Sequence, residues 1–298
     1  MTIISPGAPP SAPRQPGNGT SRGRLTITPA RRAAILIGVP IVFLIFIANG
    51  FSAVNGASQA SFPVSGTVLL PAGKLTMNFG GGGGTLRGSD VPSTMARVAG
   101  TVQYHIGRPT LRLAAGDISL DCPVVDEGNC ALNASIDVPA GTALAVTTGG
   151  GDLSATGLAD GATLDTDGGN LSVTGAAGDL VLASGGGDVS ADRVSGPVVS
   201  ISASGGNIGG SAVSAATVTA DSGGGEVTLT FTTIPRNLHV NANGGNVTIV
   251  VPRGSYAVSA NAGGGNLTNT IPSALHAANA ITVSSGGGDI SLSESPPN

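Results

Sequence analysis

The chain has 298 residues, enough for one or two domains, and 49 glycines with only 10% charged residues, a composition that suggests low complexity unless a period can be found in it. A net charge of −4 argues against a nucleic-acid partner, which would need a basic face. Five arginines and no acidic residue precede residue 33, so the other eight basic residues face all 17 acidic ones.

Residues 1–30 are rich in Pro, Gly and Ser without hydrophobic periodicity and predict a disordered tail. Residues 31–54 contain the run Ala33 to Val54, uncharged throughout and long enough to cross a bilayer's apolar core of about 30 Å. Arg31 and Arg32 stand before this run, and the first basic residue after it is Lys74. That asymmetry predicts a single-pass anchor helix with a cytoplasmic N-terminus and an extracytoplasmic remainder. A cleaved signal peptide is the alternative, with the small residues Ala57 to Ala60 as its cleavage site. Residues 55–60 read as a linker.

From 61 to 142 the pattern is β but irregular, which predicts atypical first rungs and an N-terminal cap. Leu70-Pro71-Ala72-Gly73, Val138-Pro139-Ala140-Gly141 and Val251-Pro252-Arg253-Gly254 share a form that closes one strand and opens the next. Cys122 and Cys130 are the only cysteines, and in an exported domain they predict a disulfide pinning a local acidic loop.

Residues 143–293 carry a repeat. Two or three glycines, then Asp, Asn or Glu, then an aliphatic residue recur eight times, with the polar residue at Asp152, Asn170, Asp188, Asn207, Glu226, Asn246, Asn266 and Asp289. The steps between them are 18, 18, 19, 19, 20, 20 and 23 residues, the mark of a repeat architecture. With the polar residue as position zero, the next column is aliphatic in every copy, from Leu153 to Ile290. The column after it is small or hydroxylated (Ser154, Ser172, Ser190, Gly209, Thr228, Thr248, Thr268, Ser291), and the third is mostly apolar. This alternation is a strand with one buried face. A second alternating strand precedes the glycines in each copy, as at Leu144 and Val146 or Leu180 and Leu182.

A two-stranded unit cannot bury its own apolar face, but stacked units bury one another's. The prediction is an all-β fold, a parallel β-solenoid (β-helix-like) with two strands per rung of 18–20 residues, preceded by the transmembrane helix. The glycines are expected to supply positive φ at the corners. The Asp/Asn/Glu column is expected to be corner structure, with calcium as the weaker alternative: Gly-and-Asp repeats form calcium-binding β-rolls, but on a nonapeptide period. Asn269 stands in an apolar column and calls for a ladder partner or a distorted rung. Residues 294–298 form a short C-terminal tail, which makes the last copy a candidate open edge for another strand.

Catalytic chemistry is missing from the pattern. The glycines of Gly80 to Gly84 lack the Gly-Lys-Ser/Thr of a phosphate loop, and no Gly-X-Ser-X-Gly elbow is present. His105, His239 and His276 show no metal-ligand spacing, and there is no Trp to stack on a sugar. No enzyme activity, cofactor or metal is expected.

The phrases GGGDLSATG, GGNLSVTG, GGGDVSA and GGGDISL, the preceding VPAGTALAV, the strand Thr94 to Thr101 and the Cys122 to Cys130 loop together resemble the bacterial putative-adhesin family of β-strand repeats, a domain of unknown function. Membrane-anchored actinobacterial members look most similar. The resemblance covers roughly residues 61–293 and implies a surface-exposed solenoid with an adhesive role and no catalytic residues. The expected function is a membrane-anchored cell-surface interaction module whose partner is a cell-envelope polymer or surface protein. The alternatives are a structural or envelope-stress component acting as a spacer for a membrane partner, and a carbohydrate-active β-helix enzyme. The oligomeric state is not legible.

Overall fold

The computed structural model describes residues 59–124 and 129–296. The expected tail and anchor helix, most of the linker and the last two residues lie outside that range. Among the described residues no helix is long and apolar enough to cross a membrane. The named elements are 22 strands and one 3-10 turn at Pro71–Gly73, so the described chain is all-β.

The strands stack in two sheets that share one core. In chain order, β1 is Ala60–Leu69, β2 Lys74–Asn78, β3 Gly84–Pro92, β4 Met95–Tyr104, β5 Thr110–Ala114, β6 Asp117–Asp121 and β7 Ala131–Ala140. The repeats follow: β8 (Ala143–Thr148) with β9 (Leu153–Thr156), β10 (Ala162–Thr166) with β11 (Leu171–Thr174), and β12 (Leu180–Ser184) with β13 (Val189–Asp192). Next come β14 (Ser195–Ala203), β15 (Ile208–Ser222), β16 (Val227–Phe231), β17 (Asn237–Ala242) and β18 (Val247–Val251). The last are β19 (Tyr256–Asn261), β20 (Leu267–Asn269), β21 (Asn279–Ser285) and β22 (Ile290–Glu294).

Successive repeats pair in parallel with the columns in register, as Leu144↔Ala162↔Leu180↔Val199 on one sheet and Leu153↔Leu171↔Val189↔Ile208 on the other. The two aliphatic columns are buried: Leu164, Leu182, Val173, Ile201, Val240 and Ile249 are all at 0% exposure. Each contributes roughly 1.5–3 kcal/mol, which explains how a core almost without aromatics holds. β15 departs from the two-strand rung. It runs from one sheet into the other without a break, turning at Ala212, whose φ is 52°.

Two rungs come from the segment expected to be irregular. β2 and β3 pair with β8 and β9, aligning Leu75 with Leu144 and Leu86 with Ala155. β6 and β7 then pair with the far side of β2 and β3. The N-terminal end is closed by antiparallel strands, β5 on β6, and β4 on β7 with β1 outermost. The solenoid proper is parallel; its cap is not.

The C-terminal end differs from the expected order. β21 pairs with β17 on one side and β19 on the other, and β22 lies between β18 and β20. The eighth copy is therefore inserted between the sixth and the seventh, and the 23-residue step is the length of chain needed to return. The open edge is β20 of the seventh copy, not the end of the chain. Leu267, Thr268 and Asn269 are all exposed there, so Asn269 needs no buried partner; its side chain accepts from the Ile271 N–H at 2.9 Å.

The glycines also have a different reason from the one expected. Most glycines of the repeated phrase lie outside the left-handed region. What requires them is close approach between rungs: a Cβ on Gly187 would stand 2.2 Å from the Gly169 carbonyl oxygen, and one on Gly225 2.1 Å from that of Gly206.

Candidate functional site

The outward face of the sheet that contains β9, β11 and β13 carries three parallel rows. The first is the Asp/Asn/Glu column. Its side chains form a ladder in which a position-zero oxygen accepts the backbone N–H of position zero on the next rung. Asp152 Oδ1 accepts from Asn170 at 2.7 Å, Asn170 Oδ1 from Asp188 at 2.9 Å, Asp188 Oδ1 from Asn207 at 2.7 Å and Asn207 Oδ1 from Glu226 at 2.8 Å. Asn170 and Asn207 also donate Nδ2 to the preceding aspartate, at 3.2 and 3.1 Å. Glu226, one methylene longer, turns its carboxylate to the Thr228 hydroxyl instead, at 3.2 Å. The ladder resumes with Asn246 accepting from Asp289 at 2.9 Å and Asp289 from Asn266 at 2.7 Å.

In sequence, carboxylate and amide alternate only as far as Asn246, because Asn266 follows it. In space the inserted eighth copy restores the order, Asn246–Asp289–Asn266, and the alternation holds from Asp152 to the open edge. Carboxylates on neighbouring rungs, about 4.8 Å apart, would repel by about 1 kcal/mol even in water. An interposed amide removes that repulsion, and Asn170, Asn207 and Asn266 also donate to the neighbouring aspartate.

This geometry uses one oxygen, Oδ1, of each aspartate: both ladder bonds to Asp152, to Asp188 and to Asp289 end on it. Among the described residues no cluster of three or more His, Cys, Asp or Glu could hold a metal ion.

The sequence pattern missed one member of the ladder and one gap in it. Asn133, on β7, stands at position zero of the outermost rung, and its Oδ1 accepts from the Gly83 N–H at 3.1 Å. It lacks the preceding glycines; only the alternation Asn133-Ala134-Ser135-Ile136 could have revealed it. Gly83 holds position zero on the next rung and offers no side chain to Asp152.

The second row, two residues further on, consists of hydroxyls. Ser135, Thr85, Ser154, Ser172 and Ser190 are in register, Gly209 interrupts, and Thr228, Thr248, Ser291 and Thr268 continue. The third row, four residues after zero, mixes Thr156, Thr174 and Thr230 with Arg87, Asp137 and Asp192. Asp192 is paired to Arg193 at 2.5 Å.

A buried column also went unread. Thr148, Thr166, Ser184, Ser222 and Ser285 lie four residues before zero, at 3% exposure or less. Their hydroxyls bond glycine carbonyls at the corner, as Thr166 Oγ1 to Gly169 O at 2.7 Å and Ser285 Oγ to Gly245 O at 3.0 Å. Buried carbonyls require donors, and these residues supply them.

The Cys122–Cys130 disulfide is present and joins β6 to β7 across the corner of the outermost rung, with Cα atoms 5.9 Å apart. At the other end, Tyr256 is fully buried in the last rung and donates its hydroxyl to Pro252 O at 2.7 Å. Burial, reinforced by the Glu294 carboxylate, raises its pKa above the ordinary 10.0.

A family model described as Toastrack DUF4097 matches residues 128–293, more than half of the chain. The chain belongs to the Toastrack DUF4097 family. The match begins inside the disulfide loop and runs to β22, so it covers every glycine-phrase rung while leaving out β1 to β6. Among solved structures, this Toastrack chain is similar to a putative adhesin of Bacteroides fragilis, at 15% identity over 78% of this chain and 97% of that one, with a TM-score of 0.42. It is also similar to a putative cell adhesion protein of Clostridium sporogenes, at 13% identity over 78% and 100%, with a TM-score of 0.25. No curated protein matches the Toastrack chain.

Proposed function

We propose that this Toastrack protein is a membrane-anchored, extracytoplasmic interaction module of the actinobacterial type, without catalysis, that binds a cell-envelope polymer through the hydroxyl-bearing face of its solenoid. The observation that carries the reading is the second row: Ser154, Ser172, Ser190, Thr228, Thr248, Ser291 and Thr268 face outward in register. Rungs about 4.8 Å apart set hydroxyls at a constant interval on a rigid sheet. A polymer that repeats its own polar groups can engage several of them at once, so that many weak hydrogen bonds sum without further ordering of the protein. The anchor over residues 31–54 would hold this face outside the membrane, with the N-terminus in the cytoplasm.

The test is co-sedimentation of the full-length chain, in mild detergent, with insoluble envelope polymer from the source organism, with and without calcium. The wild-type chain sediments, and a variant carrying Ser190→Ala, Thr228→Val, Thr248→Val and Ser291→Ala stays in solution. Failure of the wild-type chain to sediment would move the reading to a spacer for a membrane partner. Sedimentation only with calcium would assign the Asp/Asn column a cation.

A further inference from the structure

Towards its N-terminal end the ladder has one gap, at Gly83. Everywhere else from Asn133 to Asp188 a position-zero side chain accepts the next rung's N–H, but Gly83 has none to offer, and among the described residues nothing accepts from the Asp152 N–H. The gap is built in: a Cβ on Gly83 would lie 2.2 Å from the Asp152 carbonyl oxygen and 3.0 Å from its nitrogen. The outer face at the gap is a shallow, open hollow whose lining includes Gly83, Gly84 and Gly151. Around it stand Asn133, Thr85, Asp152, Ser154 and Ser172.

We infer that this hollow is a binding subsite for one saccharide unit, an assignment that rests on the reading of the outer face as a polymer-binding surface and gives that surface its most specific contact. A sugar ring presents adjacent hydroxyls, each both donor and acceptor, above a flat C–H face. The hollow offers matching groups. The Asp152 N–H is a donor without an acceptor among the described residues. Both ladder bonds to Asp152 use Oδ1, which leaves Oδ2 as an acceptor for a sugar hydroxyl. Asn133 holds Gly83 through Oδ1, and its Nδ2 has only a 3.5 Å contact to Gln103, so that donor is available. The Thr85, Ser154 and Ser172 hydroxyls can donate or accept.

This arrangement suits a neutral sugar rather than an anion, because the one charged group in it is a carboxylate. It suits a sugar because the hydroxyls of Thr85, Ser154 and Ser172, the Asn133 amide and the Asp152 carboxylate all line it.

The test is titration of the full-length chain with chitotetraose, cellotetraose and mannotetraose, followed by amide NMR and calorimetry. At least one tetrasaccharide is expected to bind, with the Asp152 amide resonance among the most shifted. The double variant Thr85→Val with Ser154→Ala is expected to bind that sugar about tenfold more weakly, as for loss of two hydrogen bonds. Thr282→Val, on the opposite sheet, is expected to bind as the wild type does. Comparison with the constituent monosaccharide identifies the source: equal affinity points to free sugar, tighter tetrasaccharide binding to a chain. Absence of binding by all three, or binding that the double variant leaves unchanged, overturns the inference. Neither outcome touches the sedimentation result, which depends on Ser190, Thr228, Thr248 and Ser291 outside the hollow. Conversely, tetrasaccharide binding without sedimentation removes the envelope-polymer reading and keeps the subsite.

Discussion

The side chain of Asn246 holds Asp289 rather than Asn266, accepting its backbone N–H at 2.9 Å across 43 residues of chain. Asp289 in turn accepts from Asn266 at 2.7 Å. The last copy of the repeat is thus clamped on both sides, with Ile290 paired to Val247 and to Leu267. The N-terminal end is built the same way, since β2 and β3 precede β6 and β7 in the chain but lie inside them in the stack. In a solenoid each rung touches only its neighbours, so a terminal rung has half the contacts of an interior one. Placing β2 with β3 and β21 with β22 inside the stack gives these rungs neighbours on both sides.

The insertion predicts hydrogen exchange opposite to chain order. Amides of β22 are expected to exchange about a hundredfold more slowly than those of β20, although β22 is closer to the C-terminus. A linear stack would give the reverse, and native-state exchange read by mass spectrometry or NMR decides between them.

Two adjacent glycines are expected to respond oppositely to one methyl group. A Cβ on Gly224 would meet nothing within 4 Å, whereas a Cβ on Gly225 would lie 2.1 Å from the Gly206 oxygen. Gly224→Ala is expected to be neutral or stabilising by about 0.5 kcal/mol, through the unfolded chain. Gly225→Ala has to push two rungs apart and is expected to cost about 1–3 kcal/mol. Thermal melts of the two variants side by side provide the comparison.

Tyr256 predicts a loss of stability at alkaline pH. Its pKa is raised in the folded protein, first by burial and second by Glu294. The folded state therefore keeps the phenol proton at a pH where the unfolded chain releases it. The associated stability is complete below about pH 10 and falls as the pH rises through the folded-state value. Tyr256→Phe abolishes this slope and costs about 1 kcal/mol at neutral pH by removing the bond to Pro252. Denaturation measured at pH 7 and above pH 10 tests both parts, and an unchanged alkaline slope in the variant would refute the assignment.

Removing the disulfide by Cys122→Ala with Cys130→Ala is expected to lower stability by about 2–3 kcal/mol, the chain-entropy value for so short a loop. The effect should be local. Exchange is expected to quicken in β5, β6 and β7, while the rungs from β10 onward keep their protection, because repeats communicate only through neighbours.

Much of this architecture is legible in the sequence because a stacked coil repeats its local requirements. Aliphatic residues at Leu153, Leu171 and Val189 recur at the same offset since each must face the same interior, and Ser154, Ser172 and Ser190 recur since each faces out. The Cys122–Cys130 pairing is equally local. Asn133 and Gly83 escaped the pattern because a long loop or a glycine replaced the phrase that marks the other rungs. The need for glycine was visible, but its cause was not: a carbonyl from the rung below, 18–20 residues away, occupies the space.

Sequence alone determined the all-β class, the rung length and the two faces of most repeat strands, since these depend on offsets within one repeat. Tertiary structure decided the order in which rungs stack, for any rung with matching columns can pair with any other, and only the full set of contacts favours one neighbour. It placed β22 between β18 and β20, restored the alternation of carboxylate and amide, and moved the open edge to β20. It also brought Asn133, Gly83 and Asp152 together from three separate stretches of chain, which created a break in the ladder that no single repeat contains.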